Sequence, residues 1–262
     1  MSTRFHSYDQ LRSVIEITYR RGVQLTHCDN GREVVSVLKP GVSQDDFTAA
    51  RDGTFRDRLA LILKSPYAAA HRRDLQSIYA LSRRRSSLIP QGTPAFYDLS
   101  QAVMAHISAQ DLPAVDHRDL TSEKGYFNTI NHITAQSFMT SIFSERMAAL
   151  IADAHERMTM PALITGTFSQ EQIADLENGP VDNYVDMINN EWGQELGKRL
   201  KERYGISRQT RWTTVLLADY LNDLQHYYSW AFSVGFMPFR PSDEIVVKFT
   251  DKLNRVVYAR FT

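Results

Sequence analysis

Residues 182–203, DNYVDMINNEWGQELGKRLKER, decide what this chain folds into. Their spacing predicts one long helix. At 3.6 residues per turn, Asp182, Asp186, Asn189, Asn190, Gly193 and Gly197 fall largely on one face. Each mid-helix glycine disfavours the helix by roughly 1 kcal/mol against alanine. Two glycines four residues apart on the polar face therefore imply that a neighbouring helix or a ligand approaches closely. Buried Asp and Asn side chains need hydrogen-bond partners, and two upstream clusters offer them.

The first is Asn128-Thr-Ile-Asn131-His132-Ile-Thr-Ala-Gln136, where Asn128, His132 and Gln136 share a polar stripe on an otherwise apolar helix. The second is Ala154-His155-Glu156, near the end of a helix starting at Ser144. Adjacent helical positions diverge by about 100°, so only one of His155 and Glu156 can face a common point squarely. A lone histidine on an apolar helix is ordinarily a satisfied core residue. Three polar clusters on three successive predicted helices favour one shared site instead.

Outward from this region, helices are expected at 7–21, 43–51, 54–64, 67–85, 95–108, 125–142, 144–158, 169–177 and 209–233. The break at Ser65-Pro66 separates two of them. Two β-hairpins are expected near the ends. One has arms 23–27 and 32–38 around Asn30-Gly31, and the other spans the C-terminal 20 residues around Asp251-Lys-Leu-Asn254. The expected fold is mainly α, a helical bundle with two small hairpins. Loop residues at 86–94 suggest a division into an N-terminal loading or structural region, 1–90, and a catalytic region, 95–262.

The chain has 262 residues, with 30 Lys+Arg against 30 Asp+Glu and 43% hydrophobic residues, enough for a packed core. Zero net charge speaks against a nucleic-acid binder. No apolar run approaches the ~18–20 residues that cross a bilayer, so an integral membrane protein is not expected. The single cysteine, Cys28, allows no intrachain disulfide and no cysteine-rich zinc module. Gly-rich phosphate loops, HExxH, GxSxG and CxxC are all absent. The N-terminal residues carry no apolar signal core, so synthesis in the cytoplasm without Sec export is expected.

Residue chemistry then suggests a hydrolase. His132 would be the general base, with Glu156 or Asp186 orienting it or acting as the acid. Asn128, Asn189 and Asn190 would hold substrate through their amides, and Gly193 would leave room for it. A metal-assisted variant would use His155 and Asp182, with His132 or Asp186, to hold a divalent ion such as zinc.

The set Asn128-x-x-x-His132, Ala154-His155-Glu156 and Asp186-x-x-Asn189-Asn190-x-x-Gly193 resembles a helical domain family found at the C-termini of bacterial polymorphic and Rhs-type toxins. The likeness spans about 70 residues. Asn131 stands where that family has an arginine, and Ala135 where it has an aromatic residue. The resemblance implies a secreted antibacterial effector exported by a specialised, type VI-like system, with a cognate immunity protein and a secretion component as partners. Its expected substrate is in the cell envelope, peptidoglycan or phospholipid. The alternative is a non-enzymatic interaction or structural protein of a secretion or phage particle.

Overall fold

The computed structural model describes residues 15–19, 23–29, 32–84, 92–112, 125–175 and 178–258. Three strands come first: β1 (Ile15–Tyr19), β2 (Val23–Asp29) and β3 (Arg32–Leu38). They form an antiparallel meander in which Glu16 faces Thr26 and Cys28 faces Glu33. The arms expected at 23–27 and 32–38 are present, while Asn30 and Gly31 lie outside the described residues. The helix expected at 7–21 is corrected within its described part. Residues 15–19 read IEITY, where β-branched residues alternate with others, and the strand period prevails over the helical one.

Twelve helices follow among the described residues. The first four are α1 (Gln44–Asp52), α2 (Phe55–Lys64), α3 (Pro66–Ala70) and α4 (Arg72–Leu81). Ser65 caps α3 by accepting from the Ala68 amide, with Pro66 in the first turn, which explains the expected break. Next come α5 (Phe96–Ala105), α6 (Tyr126–Ile142), α7 (Glu145–Thr159), α8 (Ala162–Thr165) and α9 (Gln170–Ala174). The last three are α10 (Pro180–Tyr204), α11 (Thr214–Phe232) and α12 (Glu244–Val256).

The second expected hairpin is corrected: its residues 244–256 form α12. Val246, Phe249, Leu253 and Val256 recur at helical spacing, and all four are buried. The chain is therefore mainly helical, with one small sheet at its N-terminal side among the described residues.

The main core gathers around Phe138 of α6. Its ring lies 4.5 Å from Tyr220, 5.7 Å from Phe249, 5.8 Å from Phe96 and 6.0 Å from Trp212. Ile78, Ala80 and Leu81 of α4 belong to this same core. Ser77 also donates to the main-chain carbonyl of Val256 at 3.2 Å. Helix α4 of the 1–90 region thus packs into the same core as the helices of 95–262. A smaller cluster joins Leu38, Met160 and Leu163 to Tyr184, Val185 and Ile188 of α10.

Candidate functional site

The long helix α10 lies against α6 more extensively than any other pair of helices. The glycines of α10 make that approach possible. A Cβ on Gly193 would meet the Cβ of Gln136 at 2.6 Å and the main chain of Ile133 at 2.9 Å. A Cβ on Gly197 would meet the Ser137 carbonyl at 2.7 Å. Ser137 and Ser141 donate their hydroxyls to the carbonyls of Gly193 and Gly197, at 2.9 and 2.8 Å. Gly193 is therefore a helix-packing residue, and its expected role in substrate clearance is corrected.

One turn and more toward the start of α10, the polar stripes of the two helices interlock. Asn190 Oδ1 lies 2.9 Å from Nδ1 of His132. Nε2 of the same ring lies 3.4 Å from Asp186 Oδ1, longer than an ordinary hydrogen bond. Asn128 donates to that carboxylate oxygen at 2.6 Å. The side chains of His132 and Asp186 are 16% and 17% exposed, so the pair sits at the mouth of the helix interface rather than deep within it. Asn189 is wholly buried and donates to Thr129 Oγ1 at 3.3 Å. It is an interhelical contact, which corrects its expected role on substrate. Gln194 and Gln136 continue the same seam at 3.1 Å.

From α7, Glu156 reaches this cluster and His155 stays at its rim. Glu156 is 1% exposed, and its Oε1 has no hydrogen-bond partner among the described residues. Burial pushes its carboxyl well above the usual carboxylate range, and the charges of Asp186, Asp182 and Asp153 push it further. Its surroundings therefore favour the protonated form. His155 is held below the ordinary histidine value by the protein around its ring and by the charge of His132. Its Nδ1 lies 3.4 Å from Gln44 Oε1. The two neighbours divide their tasks as helix geometry requires: Glu156 faces inward and His155 outward.

Arg157, which the sequence reading passes over, fastens this region. Its guanidinium donates to the carbonyls of Lys39 and Val42 at 2.8 and 2.9 Å and pairs with Asp153 at 2.8 Å. The nearest sequence signal is its place directly after His155-Glu156. As for a metal, no three His, Cys, Asp or Glu side chains are arranged to hold an ion among the described residues. The expected set of His155 and Asp182 with His132 or Asp186 is therefore not assembled as a three-ligand group.

An open groove of about 460 Å³ lies elsewhere, between the starts of α5 and α12. It is lined by Arg84, Pro94, Asp98, His106, Glu244 and Lys248 among others, and none of the three clusters contributes to it. Arg84 pairs with Asp98 there, and Lys248 with Glu244. The sequence clusters thus meet each other and not this groove. No family model, no curated protein and no solved structure matches the chain.

Proposed function

We propose that the chain is a hydrolase, with His132 as general base and Glu156 as general acid. The observation that carries this reading is the placement of one imidazole between Asn190 and Asp186, with the buried Glu156 feeling the charge of that same Asp186. Asn190 holds Nδ1, which leaves Nε2 as the atom that exchanges a proton. Asp186, 3.4 Å from Nε2, compensates the positive charge that arises when the ring takes a proton from an attacking water. Asn128 fixes that carboxylate in turn. Glu156, whose protonated form burial favours, would supply a proton to the leaving group. A histidine held by fixed partners and a carboxyl whose protonated form is favoured are the parts that acid–base hydrolysis uses.

The toxin-family resemblance supports an antibacterial effector, exported by a specialised secretion system and neutralised by an immunity protein. Neutral net charge favours an envelope substrate, peptidoglycan or phospholipid, over nucleic acid. The test is expression of the full chain in bacteria, in the cytoplasm or directed to the periplasm by an added leader. Wild type should arrest growth only when periplasmic, and His132→Ala and Glu156→Gln should abolish that effect while still melting cooperatively. Folded variants as toxic as wild type would refute the catalytic assignment. A wild-type chain harmless in both compartments would refute the effector reading.

A second reading has its own support. Both ring nitrogens of His132 already face polar partners within the protein, as a purely structural buried network requires. On that reading the chain is a non-enzymatic interaction or structural protein of a secretion or phage particle. His132→Ala would then lower the melting temperature and leave any biological effect in proportion to the folded protein.

A further inference from the structure

Helix α2 turns its apolar side chains away from the protein. It contains no buried residue, and Phe55 and Leu63 are 77% and 75% exposed. Leu59 and Ile62 are exposed beside them. The four stand at i, i+4, i+7 and i+8, so they form one stripe roughly 100° wide. Its opposite side is what holds it to the protein. Lys64 pairs with Asp46 of α1 at 2.6 Å, Asp57 caps the helix at Thr54, and Leu61 is half-buried.

Ten residues are too few for a helix to be stable by its own hydrogen bonds, so an apolar stripe of this kind implies a covering phase. Charge identifies it. At about 100° per residue, Arg58 borders the stripe on one side and Arg56 on the other. Both are exposed, and neither is in an ion pair among the described residues. A second copy is a poor occupant, because two-fold pairing of the stripe brings these cationic borders against each other. The helix is also only about 15 Å long, so its face is far below the roughly 800 Å² per partner that a stable protein interface buries. A planar apolar layer edged with negative charge meets both demands. We infer that α2 lies in the surface of a membrane containing anionic lipid, its stripe among the acyl chains and Arg56 and Arg58 at the headgroups. This inference stands apart from the catalytic reading and survives its failure.

The test is co-sedimentation of the full chain with vesicles of phosphatidylcholine alone or mixed with phosphatidylglycerol. Wild type should sediment with the mixed vesicles, far less with the neutral ones, and less as salt rises. Phe55→Gln/Leu63→Gln and Arg56→Gln/Arg58→Gln should each weaken partitioning by at least about tenfold. These side chains are exposed, so the melting temperature should be unchanged, and it checks the fold independently. Wild type that stays in the supernatant with both vesicle types would overturn the inference, as would variants that bind as tightly as wild type. A wild-type dimer by light scattering that Phe55→Gln/Leu63→Gln dissolves would also overturn it, by assigning the stripe to a second copy.

Discussion

The Cβ that Gly193 lacks would stand 2.6 Å from the Cβ of Gln136, inside any real contact distance. Alanine is the better helix former by roughly 1 kcal/mol, yet here α10 would have to move away from α6 to admit it. We expect Gly193→Ala to destabilise the protein by about 1–3 kcal/mol, and Gly197→Ala to do the same. Calorimetry of the two variants checks this. A melting temperature at or above that of wild type would mean that the helix pair has slack at that point.

Glu156→Gln should stabilise the protein at neutral pH. The folded carboxyl holds its proton well above the ordinary range, whereas in the unfolded chain it ionises near 4.5. The unfolded state therefore binds fewer protons above that value, and wild-type stability falls as pH rises toward the folded-state titration. Glutamine does not titrate. Urea melts from pH 4 to pH 8 should show the variant's advantage growing with pH and vanishing near pH 4.

Lys252 should give the opposite slope. It is 1% exposed, and its ammonium donates to the carbonyls of Leu81, Arg83 and Pro94 at 3.2, 2.8 and 2.6 Å. Burial lowers its pKa from 10.5 to about 8. Between those values the unfolded chain holds the extra proton, so this group adds stability as pH rises through the window. Lys252→Met should lose that rise when melts at pH 7.5 and pH 10 are compared.

Arg157→Leu should cost about 2–4 kcal/mol in a denaturant melt, because it strands the carbonyls of Lys39 and Val42 and leaves Asp153 unpaired. A loss below about 0.5 kcal/mol would show that water replaces the guanidinium without penalty.

The helices around the candidate site were legible because their polar residues repeat at helical spacing on an apolar background. Asn128 and His132 on one helix, and Asp186 and Asn190 on another, carry one pattern, and each finds its partner in the other. Close approach at Gly193 and Gly197 was legible too, but glycine does not say whether a helix or a ligand fills the space. Distinguishing Glu156 from His155 required knowing which face of α7 looks inward. The two misread elements fail for one physical reason. IEITY and the C-terminal DEIVVKF mix β-branched and charged residues so that a period of two and a period of 3.6 both fit a short window. Packing settles them: residues 15–19 pair with β2, while Val246, Phe249 and Leu253 find the core. Arg157 was not legible, because its partners are main-chain carbonyls, which any sequence supplies.

The hydrogen bond from Ser77 to Val256 joins positions 179 residues apart, and Lys252 reaches back to Leu81 and Arg83. During translation, α4 leaves the ribosome long before the helix that covers it exists. The nascent chain must therefore carry Ile78 and Leu81 uncovered until α12 is made, and only then can the core shut. The same delay makes the unfinished protein a natural client for chaperones that shield exposed apolar surface.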